Sequence, residues 1–127
     1  MIIPFEEFER AVMHKILEKE SSINKVLREQ YKKAQVIDRE FTGVGFFTRF
    51  KMPEDAPVVI EPVEYGYGNV LASINDSAFD FGFVLFIKNG IMTCLEGYTW
   101  ADAWPQEIHN YILCYSNEEP DLIKEHQ

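Results

Sequence analysis

Phe81–Trp104, FGFVLFIKNGIMTCLEGYTWADAW, is the stretch around which the rest of the chain has to be fitted. Asn89-Gly90 separates two apolar runs, and a type I′ turn needs φ > 0 at both central residues, which asparagine and glycine tolerate best. The stretch therefore predicts a β-hairpin. A two-residue turn sets a register in which Lys88 faces Ile91, Ile87 faces Met92, Phe86 faces Thr93, Leu85 faces Cys94, Val84 faces Leu95 and Phe83 faces Glu96. Alternation then places Phe83, Leu85, Ile87, Met92, Cys94 and Glu96 on one face, and Val84, Phe86, Ile91, Thr93 and Leu95 on the other. Both faces are mostly apolar, so the hairpin belongs in the middle of a sheet.

Upstream of the hairpin, Val70–Asn75 reads as a strand and Asn75-Asp76-Ser77 as a turn. Before it, Glu64-Tyr65-Gly66-Tyr67-Gly68-Asn69 reads as a loop holding two tyrosines between glycines. Residues 52–68 form a long connection with three prolines and at most a short edge strand at Val58–Ile60. Val36, Ile37, Phe41, Val44, Phe46, Phe47 and Phe50 are β-branched or aromatic, with Gly43 and Gly45 marking a bend. Gly43-Val44-Gly45 is not a dinucleotide fingerprint, because Thr48 stands where a third glycine should be and no helix follows to receive a pyrophosphate.

The first 34 residues have helical period. Phe5, Phe8, Val12 and Ile16 make one stripe, and Ile23, Val26, Leu27, Tyr31 and Ala34 resume it. A single helix of about 30 residues would be about 45 Å long, longer than a compact domain of this size is wide. The stripe therefore breaks at Ser21-Ser22, where a serine caps the second helix. Pro4 suits the first turn of the first helix, and Glu6, Glu7 and Glu9 suit its positive end. Lys25, Arg28 and Lys32 read as a solvated face, Glu29 is placed to pair with Lys25 or Lys33, and His14 reads as structural. Downstream of the hairpin, Trp104-Pro105 must be extended or turning, and Tyr111–Tyr115, although Ile108, Tyr111, Ile112 and Tyr115 also have helical spacing, reads as a final strand whose open edge offers a route to a homodimer. The expected fold is α+β: a single domain with residues 1–34 helical, 35–116 an antiparallel sheet of five or six strands under two helices, and 117–127 a flexible tail.

Charge narrows the partners. Residues 1–34 carry six acids and seven bases, and residues 35–127 carry fifteen acids and five bases, so the net charge of −9 belongs to the sheet part. Such a surface repels phosphate backbones, which argues against nucleic acid, and attracts a basic protein. No apolar run is long enough to span a bilayer, and the charged N-terminal segment does not read as a secretory leader, so a soluble, cytoplasmic protein with Cys94 and Cys114 reduced is expected.

The chemistry-bearing residues gather past the hairpin. A carboxylate at Glu96 among Phe83, Leu85 and Cys94 must find a donor or shift its pKa upward. In an enzyme, Glu96 would be the acid or base, with Asp102 or His109 as partner, in an aromatic pocket serving a small-molecule or hydrolytic role. In an interaction domain, Glu64, Tyr65, Tyr67, Tyr98, Trp100, Asp102 and Trp104 would make an acidic, aromatic binding surface, with Glu61 on its rim. In a purely structural reading, Glu96 pairs with an arginine and the aromatics close the core. The cysteines have no cationic sequence neighbour to activate a thiol, and His14, His109 and His126 have no metal-ligand spacing, so neither a cofactor nor a metal is expected. The string LEGYTW (Leu95–Trp100), preceded by GFVLFIKNG and followed by Trp104-Pro105, resembles a motif of small bacterial domains, and their compact acidic build is similar to that of immunity proteins that neutralise toxins. The resemblance spans Gly82–Pro105, implies a bacterial cytoplasmic setting, and transfers no site residue. Together these residues point to a non-enzymatic domain that binds a basic macromolecule as an immunity-like or accessory protein.

Overall fold

Helix formation at the N-terminus follows the apolar stripe. In the computed structural model, which describes residues 1–116, α1 spans Phe5–Leu17 and buries Phe8, Val12, Met13, Ile16 and Leu17. Helix α2 spans Ser22–Lys33 and begins where Ser21 Oγ accepts from Asn24 N at 2.9 Å, so the break between the helices falls at the capping serine. Arg28 is less free than a solvated face would make it. Its guanidinium donates to Leu17 O at 2.7 Å and so satisfies a carbonyl at the end of α1. Glu29 pairs with Lys32 rather than with Lys25 or Lys33.

Six strands follow: β1 (Gln35–Phe41), β2 (Gly45–Lys51), β3 (Gly66–Ile74), β4 (Phe81–Lys88), β5 (Ile91–Thr99) and β6 (Tyr111–Tyr115). They form one antiparallel sheet in the order β1-β2-β5-β4-β3-β6, with both helices on one face. The β4–β5 hairpin is central, as its two apolar faces require. Its turn has Asn89 at φ 53° and Gly90 at φ 75°, and a side chain at Gly90 would also collide with Val59 O. β1 and β6 are the edges. In the long connection Val58–Ile60 forms no strand and is pinned by Val59 N to Gly90 O at 3.0 Å; one expectation fails, since β3 starts at Gly66 and the second tyrosine, Tyr67, lies in a strand rather than a loop. The tail expected at 117–127 lies outside the described residues.

The register of the hairpin differs from strict alternation in one place. Ile87 pairs with Met92, but Phe86 pairs with Cys94, which leaves Thr93 as a bulge with its hydroxyl on Phe86 O at 3.2 Å. Every residue of β5 after the bulge is turned over. Leu95 enters the core with Phe83 and Leu85, while Cys94 and Glu96 join Val84 and Phe86 on the helix-free face. Leaving Leu95 outside would forfeit roughly 1.5–3 kcal/mol of burial, and an unpaired carboxylate inside would cost several more, so the bulge is the lower-energy arrangement.

Polar groups tie the helices to the sheet. Glu9, read from sequence as a dipole residue, is buried: its carboxylate receives Arg39 Nε at 3.1 Å and Nη2 at 2.8 Å, together with the Thr48 hydroxyl. Gln30 is fully buried, donating to Pro57 O at 2.9 Å and Gly90 O at 2.8 Å and accepting from Met92 N at 2.9 Å, so α2 holds the hairpin turn and the connection together.

Candidate functional site

Trp100–Asn110 wraps round the end of the sheet opposite the Asn89-Gly90 turn. Its course is set by backbone contacts: Trp100 N donates to Asp80 O at 2.9 Å, Trp104 N to Gly43 O at 2.8 Å, and Ile3 N to Ile108 O at 2.7 Å. Asn75, in the β3–β4 turn, clasps the far side of the loop, accepting from His109 N at 2.7 Å and donating to Glu107 O at 2.8 Å. Trp104 thereby turns inward. Its ring lies edge-on to Phe46 at 5.3 Å and to Phe81 at 5.1 Å, and it is buried rather than offered as an anchor.

Beside Trp104 an apolar groove of about 470 Å³ runs between the N-terminal segment, the β1–β2 turn and the wrapping loop. Ile2, Phe5, Phe41, Trp104, Pro105 and Ile108 supply most of its walls. Ile2 and Phe41 remain more than half exposed, and Val44 and Trp100, in neighbouring loops, are exposed as well. Exposed apolar residues gathered in one place mark an interaction site more often than scattered ones do. The loops at this end carry acids and no lysine or arginine to balance them. Residues 75–80 and 99–110 contain Asp76, Asp80, Asp102 and Glu107 and no lysine or arginine, and Glu6 and Glu7 begin the adjacent helix.

The helix-free face of the sheet is a second surface. Phe47, Val84, Phe86, Cys94, Glu96 and Tyr98 lie on it half-buried by one another, with Tyr65 against Phe86 at 4.9 Å and Trp100 against Tyr98 at 5.2 Å. Gly82 makes room for Tyr98, since a Cβ there would sit 2.5 Å from its ring. Burial raises the Tyr98 hydroxyl pKa above its ordinary value, with the charge of Glu96 adding to the effect. Arg49 is held by Asp38 and Glu40, each at 2.9 Å.

The residues expected to form one binding surface therefore divide among several places. Tyr65, Tyr98 and Trp100 border the helix-free face, Trp104 walls the groove from inside, and Asp102 is exposed in the wrapping loop. Tyr67 is on the helix side, with its hydroxyl donating to Asn24 Oδ1 at 2.6 Å, and Glu64 is exposed beside it in a cleft near the helix junction. Ile2 and Phe41 were not among the expected site residues: Phe41 read as one of several strand aromatics and Ile2 lies ahead of the helical stripe, so neither stood out in the sequence.

The residues of the enzyme alternative are not brought together. Glu96 stands half-exposed between Phe47 of β2 and Val84 of β4, and does not share a face with Phe83 and Leu85. His109 contacts Met1 O at 3.2 Å and Glu107 at 3.5 Å, and among the described residues no hydrogen bond or ion pair joins any two of Glu96, Asp102 and His109. Cys94 lies near Arg49, but burial outweighs that cation and pushes its thiol pKa up, away from a reactive thiolate. No three His, Cys, Asp or Glu side chains among the described residues are grouped to hold a metal, and no described helix is long and apolar enough to cross a membrane. No family model matches the chain, and neither a curated protein nor a solved structure matches it.

Proposed function

We infer that the chain is a non-enzymatic protein-binding domain, of the immunity or accessory kind, that captures a basic partner at the groove end of the sheet. A single observation carries this reading: an apolar groove with exposed walls opens among loops that carry acids and no lysine or arginine. A partner side chain enters between Ile2, Phe41 and Trp104, and lysines or arginines flanking it meet Asp102 and Glu107. The apolar insertion supplies affinity, and the acidic rim supplies orientation and association rate.

Affinity capture from a bacterial lysate with the wild-type chain, with Asp102→Lys/Glu107→Lys and with Ile2→Asp tests this reading. The expected result is a basic protein retained by the wild type, lost from both variants, and bound less rapidly as salt increases. Equal retention by all three chains, or an acidic partner, refutes it. Circular dichroism of each variant establishes that a lost partner is not a lost fold.

A further inference from the structure

We propose that the helix-free face of the sheet binds a second copy of this chain, face to face, about a two-fold axis that passes at the level of Cys94. This surface is separate from the groove and does not depend on it.

The first support is charge. The chain carries −9, yet the helix-free face is balanced, with Asp38, Glu40 and Glu96 against Arg49, Lys51 and Lys88. A neutral face on an acidic protein does not select a basic partner. It permits a like partner that the rest of the surface would repel.

The second support is where those charges lie. Arg49 is held by Asp38 and Glu40, while among the described residues the side chains of Glu96, Lys51 and Lys88 form no hydrogen bond or ion pair. Cys94 pairs with Arg49 of β2, and Lys51 stands two residues further along that strand; on the other side of β5, Cys94 pairs with Phe86, and Lys88, two residues beyond Phe86, pairs with Ile91. The two lysines thus flank β5 roughly 7 Å to one side of Cys94, and Glu96 lies roughly 7 Å to the other side. A half-turn about an axis lying across the strands at the Cys94 level exchanges these positions. Glu96 of each copy then lies over the two lysines of the other, which is the reciprocal matching an isologous interface requires. Phe86, at the same level as Cys94, meets its own equivalent near the axis.

The third support is size. Ser73 of β3 and Cys114 of β6 are already buried on this face, so the open part is that of β1, β2, β5 and β4: four strands about 4.8 Å apart and roughly 20–25 Å long give about 400–500 Å² in projection, the low end of interface sizes and the size of a weak, concentration-dependent dimer. Two such faces packed about 10 Å apart would bury the aromatic row without leaving Glu96 unpaired.

Sedimentation velocity on the full chain from micromolar to tenth-millimolar concentration tests this directly. The wild type is expected to dimerise, and Glu96→Lys and Lys51→Glu/Lys88→Glu are each expected to weaken the dimer about a hundredfold or more through like-charge contact. An equimolar mixture of the two variants is expected to form a heterodimer, because each restores the charges the other reversed. A wild type that stays monomeric throughout, a Glu96→Lys chain that dimerises as well as wild type, or variants that do not recover on mixing overturns the proposal. Recovery on mixing also excludes misfolding as the cause of the single-variant losses.

Discussion

Removing either partner of the Glu9–Arg39 pair should be unequal in cost, and the inequality follows from burial. The Glu9 side chain is 4% exposed and that of Arg39 25%. Arg39→Met keeps an apolar stem over Phe5 but strands the carboxylate with Thr48 as its only donor, a change that costs about 3–5 kcal/mol when a buried pair is broken. Glu9→Gln keeps one oxygen, which can still accept from Arg39 Nε and Thr48, but turns its NH2 toward Arg39 Nη2, so it forfeits that hydrogen bond together with the charge assistance of the others, about 1–3 kcal/mol. Arg39, left with a neutral acceptor, can still reach water. For a domain of this size the larger loss corresponds to roughly 10–20 °C in Tm, measurable by calorimetry, with urea unfolding giving the free energies. A third variant, Glu9→Leu/Arg39→Met, removes both charges and should be more stable than Arg39→Met alone, although Thr48 then lacks its partner. If Glu9→Gln costs as much as Arg39→Met, or the double variant is no better than the single, Glu9 is not the buried charge that α1 brings to the sheet.

Gln30→Leu should lose about 2–4 kcal/mol in urea unfolding and speed exchange of the Met92 amide, because Pro57 O and Met92 N lose the same side chain at once. Gly97→Ala places a methyl 2.2 Å from the Phe46 ring and should cost about 1–3 kcal/mol by overpacking; an unchanged melting temperature would show that the ring can move aside. Glu18 is held below the ordinary carboxylate range, chiefly by the Tyr115 hydroxyl at 2.6 Å, with Lys15 helping. Its folded pKa being depressed, its contribution to stability is present above the unfolded pKa and fades as pH falls through the folded one. Tyr115→Phe should move the Glu18 titration upward in a carboxylate NMR experiment and flatten that part of the stability profile.

The fold was legible where local chemistry and long-range packing agree. Asn89-Gly90 specified its turn, the two apolar faces beside it specified a central position, and Ser21 specified where one helical stripe became two. Glu9 and Gln30 were partly legible, since position 9 stands at helical spacing from Val12, Met13 and Ile16, and position 30 from Val26 and Leu27. A polar residue on an apolar stripe is a sign of a buried hydrogen-bonded group; reading Glu9 for the helix dipole alone passed over it. The bulge at Thr93 was not legible from propensity, because threonine suits a strand as well as its neighbours do. It left one indirect sign: strict alternation placed the Glu96 carboxylate beside Phe83 and Leu85, a conflict that a one-residue slip removes. The site residues scattered for a simpler reason. Sequence proximity brought Tyr98, Trp100, Asp102 and Trp104 into one cluster, but the chain turns a corner between them, sending Trp104 under α1 and leaving Tyr98 on the opposite face.

That single inserted residue also separates the two proposed surfaces by their electrostatics. With Glu96 turned outward, the helix-free face gains the acid that balances Lys51 and Lys88, while Asp76, Asp80, Asp102 and Glu107 leave the loop end beside the groove acidic, as Glu54, Asp55, Glu61 and Glu64 leave the connection at the opposite end. A basic partner at the groove is drawn by the field of the whole acidic surface, which acts over about 10 Å at 0.1 M salt but only about 3 Å at 1 M. Face-to-face pairing works against that same field, since two copies bring equal charge together, and relies on contacts close and dry enough to escape much of the screening. Salt should therefore slow capture at the groove while sparing or strengthening the dimer. Measured on one preparation, parallel loss of both associations would mean that one charged surface serves them both. Opposite responses would require two.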